Sequence, residues 1–364
     1  MRILHIFTIP VTRNGVVMFA LDRAQALLER GISLDFAALN EVAPDLRAQI
    51  EGKGIALHRI AASRSKKSLQ YIRELSRLIR KNRYDIVHCH GNSATLFTEL
   101  LAARLGGCRV RVAHCHNTTC RHLTADRRLR PFFYRMYTHA VACGTDAGKW
   151  LFPGRAFRVL PNGAALGRFA FDPALREEAR RQLGLDGLVL GHVGRFNGQK
   201  NHAFLMQVFS ELKKLRPDAK LLLVGDGYLM NKIREAAQNS GLADSVLFAG
   251  SVPDVERYLA AMDVMALPSF YEGFPTVLLE WQASGLPSLV SDKVTREIAL
   301  TDLVRYRSLE ESPRAWAEAL LALPQPDRTQ ASEAAGHILR EAGYDLSEGA
   351  RLLEAFYREI CPEK

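Results

Sequence analysis

The stretch that decides how this 364-residue chain folds is Asp263-Val264-Met265-Ala266-Leu267-Pro268, followed two residues later by Tyr271-Glu272-Gly273-Phe274-Pro275-Thr276-Val277-Leu278-Leu279-Glu280. The apolar run reads as a buried strand, the glycine and proline as a turn, and the segment from Pro275 to Ser284 as a helix. Pro275 is expected at the first helical position, where its missing N–H would go unpaired anyway. The amides of Gly273, Phe274 and Thr276 would then leave a positive helix end, facing a phosphate or sugar oxygen. Glu272 falls just outside this helix and Glu280 in its second turn. Carboxylates accept hydrogen bonds from sugar hydroxyls on two oxygens. A lone glutamate here would more often be a solvated surface residue; a pair flanking Gly-x-Pro after a strand favours a functional reading.

Upstream, Gly191-His192-Val193-Gly194-Arg195-Phe196-Asn197-Gly198-Gln199-Lys200-Asn201 has the same form, with a strand ending at Val193, a glycine loop, and a helix from about His202. Arg195 and Lys200 could converge on a diphosphate, one as a fork and one as a point charge. The bland alternative is an exposed loop with ordinary surface charges.

The same rhythm runs through the chain. Predicted strands are Ile3–Phe7, Leu34–Leu39, Ala56–Ile60, Ile86–His90, Arg109–Ala113 and Ala140–Ala142, then Leu188–Val193, Lys220–Val224, Val246–Ala249, Val264–Leu267 and Ser288–Val290. Helical patterns such as Val17–Arg30, Leu69–Lys81, His202–Leu215 and Leu346–Ile360 separate or follow them. Such alternation predicts an α/β protein with parallel sheets covered by helices on both faces. Turn formers crowd Pro153–Phe171, which places a boundary between a domain over residues 1–160 and one over 161–345, with a C-terminal helix in 346–364 expected to pack back on the first.

Apolar residues make up 48% of the chain and charged residues 24%, an ordinary globular balance. No apolar run approaches the roughly 18 residues of a membrane helix, and Ile3–Pro10 is too short for a secretory leader. A cytoplasmic protein is expected. The net charge of +10 is uneven: residues 1–160 hold 26 Lys and Arg against 11 Asp and Glu, and the remainder is net acidic. A basic half suits nucleic acid, an anionic membrane or an acidic ligand. The six cysteines form no Cys-x-x-Cys pair and read as free thiols.

Together the two loop motifs resemble family-4 glycosyltransferases, which are retaining enzymes of the GT-B fold. The family's Glu-x7-Glu signature stands here as Glu272 and Glu280. Tyr84-Asp85-Ile86-Val87-His88, His114-Cys115-His116-Asn117 and Gly225-Asp226-Gly227 extend the likeness, most closely to bacterial exopolysaccharide and capsule enzymes. The resemblance implies two Rossmann-like doubly wound domains facing a cleft, the first for the acceptor and the second for a nucleotide-sugar donor, with UDP as the default nucleotide. It implies that Arg195 and Lys200 hold the diphosphate, Glu280 the ribose, and Glu272 the sugar hydroxyls. Gly273, Phe274, Pro275 and Thr276 would line the donor, Gly15 would let the backbone approach it, and His116 would face the sugar near the reacting carbon. Where the family has Gly-Gly-x-Glu, this chain has Asn14-Gly15-Val16-Val17, which keeps one glycine and loses the carboxylate.

The resemblance also implies that no metal or cofactor is needed. The chain contains no Asp-x-Asp, and cations plus a helix end can carry leaving-group charge. His88-Cys89-His90 and His114-Cys115-His116 raise the question of zinc, but alternate strand residues face opposite sides, so each cysteine diverges from its histidines. Nucleic-acid binding lacks any recognition motif. A GT-B UDP-sugar epimerase and a non-catalytic nucleotide-sugar-binding protein remain as alternatives. Finally, Lys66–Arg83 sets Leu69, Ile72, Leu75 and Ile79 on one helical stripe and Arg73, Arg77, Arg80 and Lys81 on another. Arg121–Arg135 interleaves basic and aromatic residues. These runs lead to an expected lipid-linked or glycan acceptor and peripheral attachment to the anionic inner face of the cytoplasmic membrane.

Overall fold

The computed structural model describes residues 1–12, 15–39, 41–64 and 67–362; Asn14 and Lys66, quoted above, and the last two residues lie outside them. In chain order the elements are β1 (Arg2–Phe7), α1 (Gly15–Glu29), β2 (Ser33–Ala38), α2 (Pro44–Gly52), β3 (Ala56–Arg59), α3 (Ser68–Asn82), β4 (Ile86–His90), α4 (Phe97–Leu105), β5 (Val110–Cys115), α5 (Leu123–Phe133), β6 (His139–Ala142), α6 (Thr145–Leu151) and β7 (Arg158–Val159). Then come α7 (Pro173–Leu183), β8 (Val189–Val193), α8 (His202–Leu215), β9 (Lys220–Val224), α9 (Met230–Asn239), β10 (Val246–Gly250), α10 (Val255–Ala261), β11 (Val264–Leu267), α11 (Val277–Ala283), β12 (Ser288–Ser291), β13 (Val304–Arg307), α12 (Pro313–Leu321), α13 (Arg328–Glu341) and α14 (Leu346–Ile360).

The chain divides into two compact units, Met1–Gly163 with Leu346–Lys364, and Ala164–Asp345. Each is built on one parallel sheet, as the strand–helix alternation predicts. The first sheet runs β3-β2-β1-β4-β5-β6-β7 and the second β10-β9-β8-β11-β12-β13. Both reverse direction once, between β1 and β4 in the first and between β8 and β11 in the second. Two short strands escape the sequence reading. β7 is two residues long within the turn-rich stretch, and β13 (Val-Arg-Tyr-Arg) is an edge strand whose charges blunt its apolar signal.

In the first unit, His5 pairs with His88 and Phe7 with His90 across β1 and β4, and His90 pairs with His114 across β4 and β5. The core on this side of the sheet gathers Ile3, Phe7, Leu27 and Phe36, and takes in Leu353, Phe356 and Tyr357 from α14. Helix α14 thus closes on α1. Gly349 allows that approach, because a Cβ there would stand 2.6 Å from Nη2 of the buried Arg23. Arg23 in turn donates to the carbonyls of Phe19 and Pro161, each at 3.0 Å.

On the opposite flank, α3, α4 and α5 pack side by side. Tyr71, Leu75 and Ile79 of α3 face inward, while Leu69 is 73% exposed and so does not belong to the apolar stripe expected for it. The six cysteines are free thiols, four buried and two half-buried. Among the described residues no helix is long and apolar enough to cross a membrane.

Between α3 and α4 lies a fully buried carboxylate. Glu99 accepts from Arg64 Nε at 2.6 Å, Arg64 Nη2 at 2.9 Å and the Tyr71 hydroxyl at 3.1 Å. Removing one partner of such a pair leaves the other buried and uncompensated. Glu99→Ala is expected to lower unfolding free energy by about 3 kcal/mol, toward the low end because Arg64 keeps some solvent, with Glu99→Gln losing less. Urea denaturation reads the difference; a midpoint unchanged in Glu99→Ala would contradict this account.

Candidate active site

The two motifs that decided the reading emerge from adjacent strands, β8 and β11, at the point where the second sheet reverses. Open parallel sheets leave a crevice at the carboxyl ends of such a pair, because the following loops turn away from each other. After β8, Gly194 donates to Val224 O at 2.9 Å and Phe196 to Asp226 O at 3.0 Å, so the loop is stitched to the Gly225-Asp226-Gly227 turn. Gly225 holds φ +135°, and any side chain there would collide with the carbonyl of Gly194. The Phe196 ring stacks on His202, with centroids 4.1 Å apart, which anchors the loop over the first turn of α8.

After β11, the Phe270 amide donates to Gln199 O at 2.9 Å, joining the two loops directly. Their side chains then meet on Glu272, which is only 7% exposed. Gln199 Nε2 donates to Oε2 at 2.8 Å, and Lys200 Nζ lies 2.8 Å from Oε1. Lys200 Nζ and Oε1 thus form an ion pair, and no further donor reaches Oε1 among the described residues. Ser269 Oγ, in the same loop, is buried without a partner among the described residues. Buried polar atoms are almost always satisfied, so this hydroxyl beside the Lys200–Glu272 pair is a candidate contact for a polar ligand.

The two cations expected on a diphosphate have different settings. Lys200 is engaged by Glu272, with its aliphatic stem against Gly194. The Arg195 side chain is exposed and has no ion-pair partner among the described residues. The helix also begins later than its sequence implied. Helix α11 starts at Val277 with Thr276 as its cap, leaving Pro275 ahead of it and Glu280 in the first turn rather than the second. The Thr276 amide donates to Phe274 O at 2.9 Å and is not free for a phosphate. The cause is the Phe274 turn, whose ring packs on Tyr344 at 5.7 Å and holds Gly273-Phe274-Pro275 out of helical register. Glu280 is half-buried and close enough to raise the Arg168 pKa, though Arg168 responds most to its hydrogen bond with Glu256.

In the first unit, Gly15 opens α1, and a Cβ there would stand 3.9 Å from Asn162 Nδ2. Asn162 is itself buried, and its Oδ1 has no partner among the described residues. His116 follows the last residue of β5 and is buried, its Nδ1 likewise without a partner among the described residues. As expected from strand alternation, the histidines of each His-Cys-His run share one face of the sheet. They gather with His5 into a stack, and pairs such as His5–His90 and His88–His90 lie at 5.1 and 4.4 Å between centroids. Groups of three, His5 with His88 and His90, and His90 with His114 and His116, bring nitrogens within 4.8 Å of one another. Burial depresses all five, His5 and His116 to about 3, so these rings are neutral.

Known proteins are similar to this chain. Residues 187–325 match the Glycosyl transferases group 1 family and residues 13–168 match Glycosyltransferase Family 4. The putative glycosyltransferase EpsF of Bacillus subtilis is 33% identical over the whole of this chain and 97% of its own length. The chain is a family-4 glycosyltransferase. Within the family, an Escherichia coli UDP-Gal:alpha-D-GlcNAc-diphosphoundecaprenol alpha-1,3-galactosyltransferase is 32% identical over 62% of this chain and 62% of its own. Among solved structures, Anabaena Alr3699/HepE in complex with UDP and glucose superposes with a TM-score of 0.81 at 18% identity, covering 99% of this chain and all of that one. That likeness shows the fold.

Of the residues gathered at these loops and beside Gly15, the sequence reading gave roles to Glu272, Lys200 and Arg195 and none to Gln199, Ser269, Asn162 or Arg23. Neither Gln199 nor Ser269 carries a charge, and only the pairing of β8 with β11 brings them together. The signal available was their place inside motifs already singled out. Because Glu272 faces a lysine that is itself largely buried, Glu272→Gln is expected to cost stability as well as turnover, contrary to the small folding effect a loop position implies. A loss of roughly 2 kcal/mol in unfolding free energy is expected, below that of a fully buried pair. Urea denaturation beside a transfer assay tests both; full turnover in Glu272→Gln would remove Glu272 from the site.

Proposed function

We propose that this glycosyltransferase moves a sugar, with retention at its anomeric carbon, from a nucleoside-diphosphate donor to a hydroxyl of a lipid-linked or glycan acceptor in surface polysaccharide synthesis. UDP is the nucleotide assigned, on the strength of the family resemblance and the donor in the name of the E. coli relative. The observation that carries the reading is the buried Lys200–Glu272 ion pair, beside the buried Ser269 Oγ that has no partner among the described residues, at the reversal of the sheet. A carboxylate held by one lysine and one amide keeps lone pairs for a sugar hydroxyl. The exposed guanidinium of Arg195 is suited to the diphosphate. As the sugar–phosphate bond breaks, negative charge grows on the departing nucleotide, and Arg195 and Lys200 would neutralise it where other enzymes use a divalent ion. Glu280 is assigned the ribose, Gly15 the donor backbone contact, Gly273, Phe274, Pro275 and Thr276 the donor lining, and His116 a sugar hydroxyl.

Donor screening with product mass spectrometry tests this reading directly. Arg195→Ala and Lys200→Ala should each slow transfer on the order of 100-fold or more, and Glu280→Gln should raise the donor KM more than it lowers kcat. EDTA should leave activity intact. A strict requirement for Mg²⁺ or Mn²⁺ would overturn the metal-free mechanism. Hydrolysis or inversion of the donor sugar with no acceptor product would favour an epimerase, and donor binding without turnover would favour a binding protein.

The acceptor side of the proposal includes the membrane. Arg73, Arg77, Arg80 and Lys81 are exposed on α3, and Arg127 and Arg128 on α5. Leu69, Leu105, Leu123 and Phe132 are exposed large apolar residues from the same three adjacent helices. Each basic residue near an anionic leaflet contributes about 1 kcal/mol, screened by salt. The protein is expected to sediment with anionic liposomes at low salt, to be released at high salt and to ignore neutral ones. Replacing Arg73, Arg77, Arg80 and Lys81 by Ser should abolish most of that binding and spare donor hydrolysis. No sedimentation at low salt would point to a soluble acceptor.

A further inference from the structure

The buried histidines of the first unit are joined end to end. Starting from one terminus, His114 Nδ1 lies 3.0 Å from His88 Nε2, and His88 Nδ1 lies 2.7 Å from the Tyr357 hydroxyl. That hydroxyl lies 3.2 Å from His5 Nε2, His5 Nδ1 lies 2.8 Å from His90 Nε2, and His90 Nδ1 lies 2.9 Å from His116 Nε2. Eight of the ten ring nitrogens are used. The remaining two, His114 Nε2 and His116 Nδ1, are both buried atoms without a partner among the described residues.

The hydrogens of this chain can be counted. A neutral imidazole has one donor and one acceptor nitrogen, and a phenol has one O–H. Five rings and Tyr357 therefore bring six hydrogens to five links, and each link takes one. The sixth must sit at an end. Because each ring donates on one side and accepts on the other, the direction chosen at one link propagates through all of them. Either all five histidines carry hydrogen on Nδ1, and His116 presents an N–H, or all five carry it on Nε2, and His116 presents a lone pair. A mixed arrangement leaves a buried hydrogen or lone pair unmatched inside the chain, which costs about 1–3 kcal/mol. An ion in place of these links would need the nitrogens to point at one centre; here the rings of His5, His88 and His90 lie nearly parallel, those of His114 and His116 turn by 28° and 35° from the rings they bond, and the nitrogens pair off through hydrogen bonds. The nearby buried guanidinium of Arg23, which further depresses His114 and His116, also opposes a cation.

We propose that His5, His88, His90, His114 and Tyr357 act as one proton-ordered chain that fixes the tautomer His116 presents at Nδ1, making Tyr357 of the C-terminal helix a positioning residue for His116. The proposal rests on the function above only in giving His116 a sugar hydroxyl to meet. The ordering of the chain does not depend on it.

The test is ¹⁵N NMR of the full-length protein labelled at histidine, with resonances assigned by single substitutions. The wild type is expected to show these five rings neutral at pH 7 and in one common tautomer. In Tyr357→Phe the link is cut without change of shape, and His88 and His114 should lose their common tautomer with His5, His90 and His116. Turnover should fall about 10-fold or more with donor KM little changed; a catalytic histidine that loses tautomer control can lose up to ~10⁴-fold. Mixed tautomers in the wild type, an imidazolium among the five, or a stoichiometric metal in the purified protein would each overturn the chain, whether or not the variant folds. A split of tautomers with unchanged kcat would overturn the positioning role. If no donor is turned over but the wild-type rings share a tautomer, the chain stands and the assigned reaction is what fails.

Discussion

A parallel sheet cannot return its chain by hairpins, so each strand is followed by a crossover that must lie on one face or the other. Wherever the winding changes direction, two neighbouring strands send their loops apart. Everything of functional interest in this molecule follows from that one geometric necessity. Between β8 and β11 it opens the space in which Glu272, Gln199 and Lys200 meet. Between β1 and β4 it sets His5 beside His88, so that imidazoles stack where aliphatic side chains would ordinarily fill the sheet.

The loops after β8 and β11 are held partly by backbone. Gly194 and Phe196 bond to the Gly225 turn, and Phe270 bonds to Gln199. Side chains add to this: Asn197 accepts from the Lys200 amide, and Gln199 and Lys200 both hold Glu272. The ion pair is costly to desolvate and gains little net stability, yet it places a buried charge at a loop junction. Charge fixed in this way needs no reorganisation when a ligand arrives.

The first unit shows the opposite economy in its histidine cluster, with polar rings inside and no charge among them. Five rings are stripped of water and remain neutral, and they find their partners in one another and in Tyr357. Arg23 stays nearby as a buried cation because carbonyls of Phe19 and Pro161 receive it. Helix α14 supplies both the phenol and Gly349, so the end of the chain completes the interior of its beginning.

The sequence alone determined the parallel α/β architecture, because strand-length apolar runs and helical stripes alternate at a spacing only crossovers satisfy. It also singled out the loops after β8 and β11, since glycine, proline and paired charges at strand ends have local causes. Register and contact across strands were beyond it. That Lys200 would serve Glu272 and leave Arg195 alone depends on the adjacency of β8 and β11, which no local pattern encodes. That Pro275 would stand outside its helix depends on Phe274 packing against Tyr344, some seventy residues away. The joining of five histidines through Tyr357 required β1, β4, β5 and α14 in one place. Hydrogen bonds act over about 3 Å, and only the tertiary fold brings residues so distant in sequence within that reach.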